Sequence, residues 1–310
     1  MRLKSFFMEL VIFFLWLISF LPMWVIVFLS GIIEQICWRL ICFGLLRGLK
    51  TKYHVIMVNL RLCFPKKNED EINALVHANF KESIIALLHY GLVFKAGKPR
   101  LEKLVKYENI AAIKEHYLKR PVIFLAPHFW GLDIGASRIS IDFPGYSMMY
   151  DDSYSILRAK LKTARMRFMV DRGGEVFSRQ AGISAVVKKL RKTKLIFYYL
   201  PDIDLGEINS LYVPFFGHES CATLSSLAKI AKLTNAIIVP SVTFRESGRY
   251  VVKFYDAWEN YPSLDDSADV LRMNQFIEKM ILEHPEQYMW SLKRFGTQPN
   301  LAYGSLYSTI

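Results

Sequence analysis

An uncharged apolar run near the start of the chain limits its possible folds more than any other sequence feature. The run covers residues 10–33, about 24 residues, and lies between Glu9 and Glu34. As one helix rising about 1.5 Å per residue it would measure about 36 Å, against a bilayer hydrocarbon core of about 30 Å. A signal peptide has a shorter apolar region that ends in small residues, whereas this run stays rich in aromatic residues. We therefore expect a retained membrane-spanning helix, kinked at Pro22; a buried core helix is the alternative.

The basic residues around this run predict which side of the membrane the following domain occupies. Two precede it and four follow it closely: Arg2 and Lys4 before, and Arg39, Arg47, Lys50 and Lys52 after. By the positive-inside rule, this asymmetry favours a single-pass anchor with the main domain in the cytoplasm. We expect residues 1–50 to form the anchor and an interfacial segment, and residues 51–310 to form one domain.

Composition and charge exclude several classes of protein. With 52% hydrophobic residues, the chain is too apolar to be disordered. It carries 40 Lys and Arg against 28 Asp and Glu, a net charge of +12, which indicates nucleic acid, an anionic membrane or an acidic or phosphorylated partner. The sequence has no zinc finger, RNP motif or basic zipper, so we expect no nucleic-acid partner. Its four cysteines lack the C-x-x-C spacing of a structural zinc site.

After the anchor, segments with helical periodicity alternate with short apolar runs, which predicts an α/β domain. The apolar runs predict strands at residues 121–126, 146–150, 194–200, 236–244 and 250–258. Helical spacing of apolar residues is found at residues 69–94, 183–190 and 273–281. The predicted fold is thus an α/β sheet flanked by helices, preceded by a transmembrane helix.

A histidine and a carboxylate follow the first predicted strand at fixed spacing. His128 and Asp133 form an H-x4-D pattern. On one continuous helix these side chains would lie about 140° apart, so a working pair needs His128 in the turn before the helix that carries Asp133. Pro127 and Gly131 suit such a turn. The carboxylate would then orient the imidazole, whose other nitrogen takes a proton from an attacking hydroxyl; a structural histidine is the alternative.

Further segments carry a resemblance to a known family when they are read in order with this pair. They are VDRGG at residues 170–174, LPDIDLG at 200–206, VPFFG at 213–217 and IVP at 238–240, with the ending HPEQYMW at 284–290. Together they resemble the bacterial lipid A late acyltransferases of the lauroyl and myristoyl type, within the glycerolipid acyltransferase superfamily. The resemblance implies an α/β fold with a mixed sheet and an anchor in the bacterial inner membrane. It also implies transfer of a fatty acyl chain from acyl carrier protein to a 3-hydroxyacyl group of a Kdo-bearing lipid A precursor.

The resemblance also implies roles for individual residues. It makes His128 the general base and Asp133 its orienting partner, although many lipid A members have glutamate at the second position. Arg172 lies in the block that contacts acceptor phosphate in the wider superfamily, and Arg165 and Arg167 precede it. A guanidinium group suits bidentate phosphate binding, so we expect these arginines to bind substrate. Solvation of a helix end or of lipid headgroups is the alternative.

Two acidic residues follow the predicted strand at residues 194–200. Asp202 and Asp204 occupy the position of an acidic block in the superfamily. Their possible roles are turn capping, binding of the acceptor sugar or support of the catalytic histidine, and both are candidate substrate-binding residues. We expect a structural or supporting role for Asp204, whereas the role of Asp202 stays open.

A basic stretch is a candidate docking site for acyl carrier protein, which is acidic. It consists of Lys188, Lys189, Arg191 and Lys192. A solvated helix face is the alternative.

The implied reaction requires neither a metal nor another cofactor, and the other histidines form no H-E-x-x-H or similar cluster. The chain lacks a G-x-S-x-G elbow, which argues against a serine hydrolase. Two other functions remain open. One is an acyltransferase whose acceptor is a lysophospholipid or an aminolipid, and the other is a non-catalytic membrane scaffold.

Overall fold

A seven-stranded mixed β-sheet forms the centre of the domain. The computed structural model describes residues 2–149 and 156–308. Its strands are β1 (Val105–Glu108), β2 (Val122–Leu125), β3 (Gly145–Met149), β4 (Glu175–Ser178), β5 (Ile196–Tyr199), β6 (Ser210–Phe215), β7 (His218–Leu224), β8 (Ile237–Glu246) and β9 (Arg249–Phe254). The order is β1-β9-β8-β2-β5-β3-β4, and β6 and β7 form a separate antiparallel hairpin. Neighbours in the large sheet are parallel except β8 and β9, so the predicted mixed α/β sheet is confirmed.

Helices cover both faces of this sheet. They are α1 (Arg2–Ile18), α2 (Met23–Cys42), α3 (Arg47–Cys63), α4 (Glu69–Leu88), α5 (Tyr90–Lys95), α6 (Lys98–Leu104), α7 (Ala111–Lys114), α8 (Leu132–Asp142), α9 (Ile156–Met166), α10 (Gly182–Thr193), α11 (Ser226–Thr234) and α12 (Asp266–Glu283). One apolar core contains side chains of α3, α4 and α10–α12, and a second contains side chains of α5–α9. Alternate residues of β2 enter the two cores, so this strand is buried on both sides.

The five strands predicted from apolar runs are all present, as β2, β3, β5, β8 and β9. Four further strands, β1, β4, β6 and β7, were not predicted. β1 and β4 are at the two edges of the large sheet, and each exposes part of its four residues. A strand that buries so little lacks the continuous apolar run by which a central strand is predicted.

The N-terminal apolar run forms parts of two helices, which corrects the prediction of one helix over residues 10–33. Helix α1 ends at Ile18, and α2 begins after Pro22. Proline fixes its own backbone angle and disfavours helical geometry in the residue before it, so it suits the start of α2. Among the described residues, α2 alone has the length and mean hydropathy, 1.8, of a membrane span. A candidate span is therefore present, although its bounds include Glu34 and Arg39.

Both N-terminal helices pack against the domain. Glu34, in the middle of α2, is buried and accepts a hydrogen bond of 2.8 Å from the hydroxyl of Tyr53. Arg100 of α6 donates to the carbonyl oxygen of Ser19, between the helices, at 2.8 Å. Helix α1 crosses α5 so closely that a Cβ atom on Gly91 would lie 2.2 Å from the α1 backbone. The expected boundary between residues 50 and 51 falls inside α3.

The other faces of α1 and α2 expose many large apolar side chains. They include Phe6, Phe7, Leu10, Val11, Phe13, Phe14, Leu17, Phe20, Trp24, Phe28, Ile32 and Ile36. A continuous apolar surface of this kind marks contact with a membrane or another apolar partner. The exposed aromatic residues thus agree with membrane association of this end of the chain.

Candidate active site

A histidine and an aspartate meet where two neighbouring parallel strands end. β2 and β5 pair in parallel from Val122 with Ile196 onward, so the loops that follow them leave the same edge of the sheet. His128 lies in the first loop and Asp202 in the second. The His128 Nδ1 atom is 2.6 Å from Asp202 Oδ1, and the backbone N–H of His128 donates to Asp202 Oδ2 at 2.8 Å. The fold itself thus brings this pair together.

The environment of the pair determines where its proton lies. Asp202 is fully buried and His128 is 8% exposed. Burial alone would raise the pKa of Asp202, but the adjacent imidazole and its hydrogen bonds lower this pKa overall. An ionised carboxylate can only accept hydrogen bonds, so Nδ1 of His128 carries the proton. The Nε2 atom is then free to take a proton from another group.

A segment near the C-terminus holds the His128 loop in place. The carbonyl oxygen of His128 accepts from the backbone N–H of Met289 at 2.8 Å, and the N–H of Trp130 donates to the carbonyl oxygen of Gln287 at 2.9 Å. Asn79 of α4 donates to two carbonyl oxygens of the same segment, at 2.6 and 2.7 Å. This segment contains the ending that the sequence analysis associated with the family, and it positions the candidate base.

Asp133 has a different partner from the one expected. It lies in the first turn of α8, after the turn that carries His128, as predicted. Its Oδ1 atom accepts from Arg165 Nε at 2.9 Å and Nη2 at 2.6 Å, and its Oδ2 atom accepts from the hydroxyl of Tyr90. Asp202, and not Asp133, is hydrogen-bonded to His128. The reason is geometric: Asp202 reaches the imidazole from the adjacent strand, whereas the carboxylate of Asp133 meets α5 and α9.

His128, the Asp133–Arg165 pair and Tyr90 line one cavity of about 880 Å³. Apolar and aromatic side chains make up much of the rest, among them Trp130, Met148, Met149, Ile183, Phe197 and Ile208. Binding pockets for small molecules typically measure about 300–1,000 Å³, so this one has room for a large, mainly apolar ligand beside the His128–Asp202 pair.

The arginines predicted to bind substrate divide into one that lines the cavity and two that do not. Arg165 lines it while paired with Asp133. Arg167 donates to two carbonyl oxygens near the end of α5, at 3.0 and 3.3 Å. Arg172 donates to two near the end of α8, at 2.5 and 3.2 Å. Both donate to carbonyl groups at a helix end, which matches the alternative considered for them.

Asp204 and the basic stretch also lie outside the cavity. Asp204 is buried and accepts hydrogen bonds from Gly206 and, at its two oxygens, from the backbone and hydroxyl of Thr297. These contacts agree with the structural or supporting role expected for it. The four basic residues are exposed on α10; Lys189 pairs with Glu175 at 3.2 Å, and Arg191 Nε donates to a carbonyl oxygen at 2.7 Å.

Sequence reasoning missed several polar residues of the cavity wall, among them Tyr90, Arg179 and Lys229. Arg179 directly follows β4, one of the strands that were not predicted. Tyr90 begins a helix at the end of a long helical pattern, where its chemistry has no sequence signal. In the part of the chain that the structure describes, no group of three or more His, Cys, Asp or Glu residues could hold a metal ion.

The chain is similar to a known protein family, to named bacterial proteins and to a solved structure. Residues 2–297 match the model of the family described as bacterial lipid A biosynthesis acyltransferase. The chain is 28% identical over 260 residues to the lipid A biosynthesis lauroyltransferase of Escherichia coli, covering 82% of each protein. It is 32% identical over 248 residues to a lipid A biosynthesis acyltransferase of Haemophilus influenzae, covering 77% of this chain and 74% of that protein. A 1-acyl-sn-glycerophosphate acyltransferase structure from Thermotoga maritima aligns with 14% identity and a TM-score of 0.36.

Proposed function

This chain belongs to the bacterial lipid A biosynthesis acyltransferase family, and from that membership we propose that it transfers a fatty acyl chain from acyl carrier protein to a 3-hydroxyacyl group of a Kdo-bearing lipid A precursor. Family membership supports an enzyme that transfers acyl groups onto lipid A. The observation that carries the finer proposal is that His128, held by the buried Asp202, lines a large, mainly apolar cavity.

In the proposed reaction, His128 acts as the general base. Its Nε2 atom takes the proton of the acceptor hydroxyl while the hydroxyl oxygen attacks the thioester carbonyl carbon. The resulting tetrahedral intermediate collapses by breaking the carbon–sulfur bond, and the imidazolium returns its proton to the departing thiolate. Asp202 stabilises the imidazolium between these steps. A positioned general base of this kind contributes about 10²–10⁴-fold to a rate.

Arg165 lines the same cavity and has N–H donors that Asp133 does not occupy. A guanidinium group has five N–H donors, and Asp133 occupies two of those on Arg165. We propose that the remaining donors stabilise the oxyanion of the intermediate, and that Asp133 and Tyr90 hold Arg165 in position for it. In this scheme Asp133 supports the reaction through Arg165 rather than through His128.

The test of the proposed function is mass spectrometry of lipid A from three strains. One strain has the intact protein, one lacks it, and one expresses His128→Ala at equal level. We expect the last two to lose the same fatty acyl increment from lipid A. Unchanged lipid A with an altered phospholipid or aminolipid profile would indicate that the acceptor is a phospholipid or an aminolipid instead. No lipid change in either strain would favour a non-catalytic scaffold.

For the acyl donor, we propose that α10 docks acyl carrier protein through its basic face. Changing Lys189 or Arg191 would also break contacts within the protein, so the test uses the double variant Lys188→Glu, Lys192→Glu. We expect it to raise the KM for acyl carrier protein at least tenfold at low salt, because reversed charges repel an acidic partner, and to leave kcat nearly unchanged.

The matched control for this variant reverses two exposed lysines on other parts of the surface, Lys66 and Lys114. It changes the net charge equally and is expected to leave that KM within about twofold. If both double variants have the same KM for acyl carrier protein at low salt, α10 is not the docking site.

We propose the bacterial inner membrane as the location, with α2 as a single-pass anchor and the catalytic domain in the cytoplasm. The test replaces Cys37 and Cys42 with serine, places a cysteine at Lys4, and adds an impermeant maleimide to spheroplasts. A single crossing predicts labelling from the periplasmic side. Labelling only after lysis would place α1 and α2 along the cytoplasmic leaflet, an arrangement compatible with the contacts of Ser19 and Glu34 with the domain.

A further inference from the structure

We propose that Arg179 and Lys229 form a phosphate-binding subsite in the wall of the catalytic cavity. The ligand class is a phosphate monoester or diester carried by one of the two substrates. The inference rests on the proposed function, because it assigns a further binding group to the same site.

Both cations line the same cavity. Arg179 begins the short turn that joins β4 to α10, and Lys229 lies in α11. α10 and α11 pack against each other, and the cavity that both cations line also contains His128. An anion bound by these cations would therefore lie in the same cavity as the candidate base.

Arg179 is half-buried, yet its side chain has no partner among the described residues. Within residues 2–149 and 156–308, the side chains of Arg179 and Lys229 form neither a hydrogen bond nor an ion pair. Burial lowers the pKa of Arg179, as expected for a charge that has lost water without gaining a protein acceptor. The arginines predicted from sequence differ in this respect, because Arg165, Arg167 and Arg172 all have protein acceptors. Arg179 is thus a cavity arginine whose side-chain donors, within the described residues, are open to an anion.

The charge balance of the cavity supports the same assignment. Asp133 is the one carboxylate among the described residues that line it, and Arg165 and Tyr90 occupy both of its oxygens. Ser225 and Asn209 line the cavity as well and add neutral polar groups. Among the described residues that line the cavity, no unpaired carboxylate therefore competes with an incoming phosphate for Arg179. A guanidinium group also matches two phosphate oxygens at once, which a single ammonium group cannot do.

Two sources could supply this phosphate. One is a phosphate of the lipid acceptor, and the other is the phosphodiester that links the prosthetic arm of an acyl carrier to its protein. Separate measurements of KM for acceptor and donor distinguish them, with the full-length protein in detergent micelles. The variants are Arg179→Gln, Lys229→Gln and the charge-retaining Arg179→Lys.

We expect Arg179→Gln to raise the KM for one substrate at least tenfold while kcat changes by less than about threefold, and Arg179→Lys to restore part of the affinity. A rise for the acceptor that disappears with a dephosphorylated acceptor assigns the subsite to the acceptor. A rise for the donor that disappears with an acyl thioester lacking phosphate assigns it to the donor. Arg172→Gln is the control, and it is expected to lower thermal stability without raising either KM.

Both KM values unchanged in folded Arg179→Gln would overturn the subsite. A binding measurement that needs no turnover separates this failure from failure of the proposed function. Inorganic pyrophosphate is titrated calorimetrically into the wild type and into the Arg179→Gln, Lys229→Gln double variant. Binding that is weakened at least tenfold in the double variant supports the subsite even if the enzyme does not acylate lipid A, whereas equal binding contradicts it.

Discussion

Replacing Asp202 with asparagine is expected to lower kcat by about 10²–10⁴-fold, close to the loss expected for His128→Ala. Asparagine has nearly the same shape and can still accept a hydrogen bond from the backbone N–H of His128. It lacks the negative charge, however, and no longer stabilises the imidazolium that forms when the base takes a proton. Because an amide can also donate to Nδ1, it further permits the tautomer in which Nε2 carries the proton and cannot act as a base.

The measurement is steady-state kcat of purified variants whose folding is checked by circular dichroism. Asp204→Asn is the matched control, because Asp204 is also a buried aspartate on the same loop but bonds Thr297 outside the cavity. It is expected to lower stability and to leave kcat of the folded protein nearly unchanged. Turnover near the wild-type level in folded Asp202→Asn would contradict the assignment of this residue to His128.

The second large effect is expected from Arg165→Gln, which removes one partner of a mostly buried ion pair. The side chains of Arg165 and Asp133 are 20% and 10% exposed. Breaking such a pair leaves an uncompensated charge and typically costs about 3–5 kcal/mol of unfolding free energy, and the partial exposure favours the lower end. We also expect kcat to fall by about 10²-fold or more, because the proposed oxyanion donor is lost.

A double-mutant cycle separates these two effects. Adding Asp133→Asn to Arg165→Gln removes the orphaned charge, so the double variant is expected to be more stable than Arg165→Gln alone. Its kcat is expected to stay low, since no guanidinium group is present. Denaturant unfolding and steady-state kinetics measure the two quantities. Recovery of kcat together with stability would show that Arg165 acts on the fold and not on the reaction.

The His128–Asp202 pair shows what sequence reasoning could and could not predict. The strands that precede His128 and Asp202 were both predicted, at residues 121–126 and 194–200. Their adjacency was not, because β3 and β4 come between them in the chain and the sheet order places β5 directly beside β2. The short spacing favoured Asp133 as the partner of the imidazole, whereas its hydrogen-bonded partner, Asp202, lies 74 residues away. The local pattern therefore selected His128 as the candidate base but gave it a different carboxylate from the one that it contacts.

Other differences between the sequence-based predictions and the structure also arise from contacts between residues that are far apart in the chain. From sequence alone, an arginine between two helices is expected to be an exposed cation. Arg172 instead donates to a carbonyl oxygen 31 residues earlier in the chain. The apolar run at residues 10–33 has the composition of one span, and its division at Pro22 is coupled to contacts with α6, such as that of Ser19 with Arg100. Arg179 carried no signal, because a basic residue becomes informative only when its surroundings leave it unpaired.

The backbone hydrogen bonds that hold the His128 loop come from a segment that is made later in translation. His128 leaves the ribosome well before Gln287 and Met289, whose backbone groups fix its loop. Helices α1 and α2 precede the domain in the chain and are therefore made before it, with apolar faces exposed. His128, the candidate base, consequently gains its final loop geometry only after residue 289 has been made, when the N-terminal helices have already had time to reach the bilayer. A chain cut short before Gln287 would therefore lack the contacts that hold the His128 loop and, under the proposed mechanism, would not transfer acyl groups.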